Sequence, residues 1–211
     1  KLDIYYETSG FTFGSLTGQR NGNISQLVWQ TRGRQRQGYS LQYDFLNRLT
    51  SAYYADITSS GTASTDNKFQ ENVTYDIRGN ITSLLRRGLY KDPVSATCYT
   101  NGVIDNLSFT YNYASNRIQK ITESAVGNVA KAQGFNPGIY GTGSSTYSYD
   151  VDGNMTLDPY KGASTGMSVT YNHLNLPTNF SFGSNGSMSI LYDQLGKKLR
   201  RTVSPTTSAG Y

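Results

Sequence analysis

Apolar and polar residues alternate in short stretches along this chain, and the alternation recurs around one local pattern. At six places a Tyr is followed by Asp or Asn: Tyr43-Asp44, Tyr75-Asp76, Tyr111-Asn112, Tyr149-Asp150, Tyr171-Asn172 and Tyr192-Asp193. Two positions before each Tyr stands an apolar residue, in turn Leu41, Val73, Phe109, Tyr147, Val169 and Ile190. Between them lie Gln42, Thr74, Thr110, Ser148, Thr170 and Leu191, polar in every copy but the last. A period of two is that of a strand with one dry face, so the six Tyr are expected to point with their apolar partners to a single buried side.

The residues after each Tyr have the composition of a chain reversal. Asp76-Ile77-Arg78-Gly79, Asp150-Val151-Asp152-Gly153 and Asp193-Gln194-Leu195-Gly196 start with an acceptor for a backbone N–H two residues on. They end on Gly, which takes a positive φ at no steric cost, as a type I turn followed by a glycine bulge requires. Asn47 and Asn175 fill the glycine position in two further copies, and Asn is the side chain that best tolerates the left-handed region. The copy at Tyr111-Asn112 has Ser115 there and one additional turn residue. Strand-like composition resumes in Arg48 to Tyr53, Asn80 to Leu84 and Lys198 to Val203, and Asn21 to Trp29 reads as a degenerate second half of the same unit.

Each unit is therefore strand, turn, strand, and the steps from Tyr149 to Tyr171 and from Tyr171 to Tyr192 set its length at about 20 residues. A single unit cannot bury its apolar face alone, so units must pair edge to edge. The fold expected is all-β: one array over 1–211, repeat-like from about 18 to 203, whose strand-turn-strand units form a coiled antiparallel sheet, a segment of a spiral or barrel-like shell. Three insertions interrupt it, at 58–67, 91–106 and 123–146, the first and third being rich in Gly, Ser, Thr and Ala. Within the second, Asn101-Gly102 suggests a short hairpin, and Gly183 to Ser187 suggests another.

Composition fits this picture, with 18 Tyr, 22 Gly and 8 Phe in 211 residues and only 16% charged residues. The net charge of +5 gathers at Arg32, Arg34 and Arg36, at Arg86 and Arg87, and at Lys197, Lys198, Arg200 and Arg201. Basic side chains in such places protect sheet edges from unwanted pairing, and no nucleic-acid-binding signature accompanies them, so nucleic acid is not an expected partner. No apolar run reaches the ~18 residues that span a bilayer. The first residues lack the apolar core of a signal peptide, and the chain reads as a fragment whose targeting signal lies elsewhere.

The inventory for catalysis is poor. Cys98 is the one cysteine, so neither an internal disulfide nor a cysteine metal site can form, and His173 is the one histidine. His173 occupies the turn position held elsewhere by Phe45, Ile77, Tyr113, Val151 and Gln194, which marks it as a turn side chain rather than a base. Asp150 and Asp152 lack the further oxygen ligands of a Ca²⁺ loop, and Gly138 to Gly143 and Gly196-Lys197-Lys198 match no nucleotide-binding fingerprint. No catalytic residue, metal or cofactor is expected. Sequons at Asn23, Asn72, Asn80, Asn106, Asn154, Asn179 and Asn185 would allow glycosylation in a secreted protein, though Asn80 and Asn154 arise from the repeat itself. The many tyrosines offer a second possibility, aromatic platforms for sugars, as in a surface adhesin or carbohydrate-binding module.

Tyr75-Asp76-Ile77-Arg78-Gly79-Asn80-Ile81-Thr82 and Tyr149-Asp150-Val151-Asp152-Gly153-Asn154-Met155-Thr156 resemble the YD repeat of the Rhs, wall-associated-protein and teneurin families. Asp158-Pro159-Tyr160-Lys161-Gly162 and Tyr171 to Pro177 are similar in style to Rhs proteins of Bacteroidota. The resemblance implies a secreted or cell-surface bacterial protein whose repeats wind into a hollow shell around a C-terminal toxic or variable domain. Its partners would be the remaining repeats and that cargo, with secretion machinery or surface glycans beyond them. The self-cleavage segment that closes such shells has no match here.

Overall fold

The computed structural model describes residues 1–7, 10–14, 18–64, 66–91, 99–112, 115–125, 134–135, 146–162 and 165–205. Cys98, Tyr113, Tyr140 and the Gly138–Gly143 stretch lie outside them. Fourteen strands are described, all paired antiparallel in neighbour order. Eight build the first sheet: β1 (Leu2–Tyr5), β2 (Gln26–Trp29), β3 (Arg36–Tyr43), β4 (Leu49–Ile57), β5 (Glu71–Tyr75), β6 (Ile81–Lys91), β7 (Tyr99–Tyr111) and β8 (Ile118–Glu123). The second sheet holds β9 (Ser148–Tyr149), β10 (Met155–Asp158), β11 (Met167–Tyr171), β12 (Pro177–Ser181), β13 (Gly186–Tyr192) and β14 (Lys198–Pro205). The one helical element described is a single 3-10 turn, Gly183–Asn185, and no described helix is long and apolar enough to cross a membrane. The fold is thus all-β and antiparallel, in two open sheets. By contacts the chain divides into two compact units, Lys1–Ser108 with Glu123–Phe135, and Phe109–Thr122 with Asn136–Tyr211.

Two kinds of connection alternate. Every Tyr-Asp or Tyr-Asn turn joins an odd strand to the next even one, from β3–β4 to β13–β14, at one end of the strands. Connections from even to odd strands lie at the opposite end and vary in length, from the four residues 182–185 to the stretch 124–147. Gly183 and Gly186 carry φ of 64° and 110° there, so the second expected hairpin forms.

Asn101-Gly102 does not form a hairpin. Both residues lie inside the continuous strand β7, with Gly88 opposite Gly102 and Leu89 opposite Asn101. Gly102 serves close approach instead, since a Cβ there would come within 2.6 Å of the Tyr90 ring. Residues 99–106, expected as insertion, are thus strand. The pair Asn-Gly favours a turn only where no partner strand offers a ladder, and β6 offers one.

The expectation of a single dry side also needs correcting in the first unit. Leu27, Trp29, Tyr39, Leu41, Ala52 and Tyr54 share the tyrosine face, because Leu27 opposes Tyr39 and Tyr39 opposes Tyr54. The opposite face is buried too: Val28, Ala55 and Ile57 pack with Phe13 into a core cluster, joined by Tyr5, Phe11 and Ala63. Segment 10–14 lies over that face as a strap. Gln26, fully buried, holds it: its side-chain oxygen accepts from the N–H of Gly10 and of Phe11 at 3.0 and 3.1 Å, and its nitrogen donates to the Phe11 carbonyl at 2.9 Å. Gly38 leaves room for the Phe13 ring, which a Cβ would meet at 3.0 Å. In the second unit, Met167 and Val169 are buried on the face of Tyr171.

Between β6 and β7 a buried carboxylate pairs with a partly exposed guanidinium. Asp105, 2% exposed, faces Arg86 in register, and the Arg86 Nε donates to its carboxylate at 2.6 Å. The Phe135 N–H donates to the other carboxylate oxygen.

Candidate functional site: the ladder of tyrosine turns

The six repeat tyrosines are half-buried, as are five of the apolar residues two positions before them, with Val169 fully buried. The intervening Thr74, Thr110, Ser148, Thr170 and Leu191 are exposed, and Gln42 is half-buried. A partly buried phenol has to place its hydroxyl, and here it does so in the same way each time. The Tyr43, Tyr75, Tyr149, Tyr171 and Tyr192 hydroxyls donate to the carbonyls of Ile24, Leu49, Ile118, Met155 and Pro177, at 2.9, 2.8, 2.9, 2.8 and 3.0 Å. Each acceptor is the residue at, or two before, the start of the preceding even strand, so every rung ties one unit to its predecessor. Tyr111 and Ile81 hold the equivalent places in sequence. Burial pushes the Tyr43, Tyr149 and Tyr171 hydroxyls above their ordinary pKa, which keeps them protonated donors.

The reversal after each Tyr uses one acceptor for several donors. Asp76 Oδ1 accepts from the N–H of Arg78 and Asn80 at 2.9 and 2.8 Å, and its Oδ2 from the Asn80 side chain at 2.9 Å. Asp150 accepts from Asn154 twice, at 2.8 and 3.0 Å. Asp193 takes the N–H of Leu195 and Lys197, both at 2.9 Å, and Asn172 those of Leu174 and Leu176, both at 3.0 Å. Asp44 takes those of Leu46 and Arg48, and the Arg48 guanidinium closes on it at 2.6 Å. The bulge residues have positive φ: Asn47 63°, Gly79 89°, Gly153 93°, Asn175 56° and Gly196 83°. Register shifts at Tyr43, Tyr75, Tyr171 and Tyr192 mark the bulge in the strand pairing. At Asn112 the closing bond comes from its own N–H to the Arg117 carbonyl, one residue further than in the other copies.

Neighbouring turns also touch, a feature that the sequence pattern does not announce. Arg48 donates to the Asp76 carbonyl at 3.1 Å and lies over the Tyr75 ring at 4.5 Å. In the second unit Arg117 lies over the Tyr149 ring at 5.7 Å, and the Asn154 amide donates to Asn175 at 2.9 Å. The Asn23 amide likewise donates to Asn47 at 3.0 Å. Arg48 and Asn154, each directly after a bulge residue, reach the next turn, so their identity is set across the sheet rather than along the chain. The side-chain nitrogens of Asn80 and Asn154, the atoms a glycan would occupy, are engaged with Asp76 and Asp150.

Where β9 is only two residues long, side chains supply the ladder. The Tyr160 hydroxyl accepts from the Ile121 N–H at 2.9 Å and donates to the Ile121 carbonyl, while the Tyr147 N–H donates to the Gln119 carbonyl at 2.9 Å.

The expected position of His173 is observed: it is exposed at the turn between β11 and β12. No group of three or more metal-ligating side chains occurs among the described residues. An open groove of about 530 Å³ is lined by Gln30, Arg34, Gln35, Arg36, Ile57, Thr58 and Ser59, and so takes in part of the first basic cluster.

No family model matches the chain, and no curated protein matches it. The crystal structure of TcdB2-TccC3-Cdc42 is similar over 98% of this chain and 10% of that one, at 13% identity and a TM-score of 0.46. The chain therefore spans about a tenth of the structure it matches.

Two outcomes test the ladder itself. Gly153→Val is expected to cost about 2 kcal/mol, since a β-branched residue is strained at a φ of 93° and its Cβ would press on an Arg117 guanidinium nitrogen at 2.8 Å. Gly153→Asn, which copies the arrangement at Asn47 and Asn175, should cost under about 1 kcal/mol. Urea unfolding of both variants checks the order; equal costs would refute the left-handed turn.

The second concerns acid. The Asn80 and Asn154 side chains, with backbone N–H groups, hold Asp76 and Asp150 below the usual carboxylate range. At Asp44 desolvation opposes the shift, but the Arg48 and Leu46 N–H groups and the Arg48 guanidinium outweigh it, and the net direction is downward. A folded pKa below the unfolded one contributes stability that is full above the unfolded value of about 4 and is lost as pH falls through the folded value. Thermal melts should therefore drop between neutral pH and strong acid. Asp44→Asn, Asp76→Asn and Asp150→Asn together should flatten that drop while leaving the fold intact, as Asn172 already shows an amide serving in the turn.

Proposed function

We propose that this chain is a non-enzymatic structural scaffold: a run of YD-repeat units of a secreted or cell-surface Rhs-type protein. In this reading the units form part of a shell that encloses or presents a C-terminal variable or toxin domain lying beyond the chain. The observation that carries it is the set of hydroxyl-to-carbonyl rungs, each joining one unit to the last through main chain and Tyr alone. Such bonds do the same work whatever the other side chains are, which suits a wall that must be continuous rather than a pocket that must be specific. Limited proteolysis of a longer polypeptide, carrying the full array and its C-terminal domain, tests the reading. That domain should resist cleavage until Tyr75→Ala and Tyr171→Ala open the wall; equal cleavage in both would dismiss enclosure.

One observation favours an adhesin or carbohydrate-binding module instead. The Trp29 and Tyr39 rings stack at 5.8 Å between centroids on the tyrosine face of β2 and β3, beside Gln37, Asp56 and Lys68. Aromatic rings flanked by polar groups suit sugar rings. Binding on a glycan array that is lost in Trp29→Ala would favour this second reading over enclosure.

A further inference from the structure

The positive charge at Arg34 and Arg36 has no sheet edge to protect. β3, which begins at Arg36, pairs with β2 on one side and with β4 on the other. Arg36 stands opposite Ile57, which belongs to the core cluster under the strap, so its side chain leaves the sheet on the strap face. The Arg36 guanidinium lies over the Phe11 ring at 5.0 Å, and Gln26 holds Phe11 in turn. Among the described residues neither Arg34 nor Arg36 forms an ion pair.

Two reversals of the first unit hold a groove between them. In residues 30–35 the Arg34 N–H donates to the Thr31 carbonyl at 3.0 Å, the Gln30 amide donates to the Arg34 carbonyl at 3.1 Å, and Gly33 takes a φ of 75°. In residues 58–62 the Thr58 N–H donates to the Thr62 carbonyl at 2.8 Å, and the Thr58 hydroxyl accepts from the Thr62 N–H at 3.0 Å. The groove of about 530 Å³ takes its charge from Arg34 and Arg36 and its amides and hydroxyls from Gln30, Gln35, Thr58 and Ser59. Among the described residues no carboxylate and no aromatic ring lines it.

We propose that this groove binds an acidic peptide segment of a partner protein, whose carboxylates meet the Arg34 and Arg36 guanidinium groups. A guanidinium is a planar fork of donors that matches a carboxylate bidentately, and Arg clusters are a recurrent means of reading acidic motifs. Amide and hydroxyl side chains both donate and accept, so Gln30, Gln35, Thr58 and Ser59 suit the N–H and C=O groups of an extended backbone. An open groove also lets a chain run on past the site, which a closed cavity would prevent. Other anionic partners fit less well. Bases and sugar rings stack on aromatic side chains, and none is among the lining residues. A membrane surface needs projecting groups, whereas this site is recessed. The scaffold reading requires no such ligand, and the Trp29 and Tyr39 stack lies on the opposite face of the sheet, so the groove is independent of both.

Selection of random displayed peptides against the immobilised 211-residue chain, at physiological salt, supplies the probes, and calorimetry with the enriched peptides measures the site. Enriched peptides should carry two or more Asp or Glu, and exchanging these for Asn or Gln should abolish binding. Arg34→Gln and Arg36→Gln should each weaken it about tenfold. Arg34 is exposed, so its variant leaves packing untouched, and circular dichroism verifies the fold of Arg36→Gln. Arg200→Gln with Arg201→Gln, in the other basic cluster, should change affinity by less than about twofold, as should Trp29→Ala. A library without binders, enrichment without acidic residues, or an equal loss in the Arg200 and Arg201 variant would each overturn the proposal. Oligogalacturonate is the competing probe: if it alone bound in an Arg34-dependent way, the groove would belong to an acidic sugar and the peptide would be refuted.

Discussion

Gln26→Leu is expected to destabilise the first unit by about 3 to 5 kcal/mol, although it replaces one buried side chain by another of similar volume. Gln26 is 0% exposed and satisfies three backbone groups of the strap at once, the N–H of Gly10 and of Phe11 and the carbonyl of Phe11. Leu can replace none of these bonds, and an orphaned buried polar group costs about 1 to 3 kcal/mol. Loosening the strap would also uncover Val28, Ala55 and Ile57, which Phe13 covers. Urea unfolding followed by Trp29 fluorescence measures the loss, and amide exchange at residues 10–13 should rise with it. A loss below about 1 kcal/mol would mean that water already reaches the strap's polar groups.

Arg86→Met should cost a comparable amount, about 3 to 5 kcal/mol, by stranding the Asp105 carboxylate at 2% exposure. The double variant Arg86→Met with Asp105→Leu should recover most of the loss, because removing both charges removes the desolvation they share. Urea denaturation of the single and double variants checks both statements. A double variant as unstable as the single one would place the cost in packing instead.

Both effects come from residues that no local sequence pattern marks, and the reason is physical. Strand, turn and register of the repeat units are legible because each depends on contacts within a few residues: alternation, an Asp acceptor, a Gly or Asn with positive φ. Gln26 and Arg86 act through partners 15 to 19 residues away, Phe11, Gly10 and Asp105, and nothing local in Gln26-Leu27-Val28 or Arg86-Arg87-Gly88 names them. One signal is present. Tyr53-Tyr54-Ala55-Asp56-Ile57 lacks clean alternation, as a strand covered on both faces should, and that is where the strap lies. Asn101-Gly102 misleads for the converse reason: its turn preference is local, and the thirteen-residue strand β7 overrides it. Of the ladder, the sequence displays the tyrosines and their direction but not the acceptors, since a hydroxyl's partner belongs to the neighbouring strand.

The alternation of two kinds of connection has an evolutionary side. At one end the tyrosine sets the distance to the previous strand, and the turn length differs there only at Asn112, by one residue. At the other end the connections already differ widely in length, and doubling a loop costs only about 0.6 kcal/mol. Gene segments can thus lengthen at 58–70 or 124–147 while the tyrosine turns keep nearly one length. New surface can be acquired along a single border, leaving the lineage's architecture untouched.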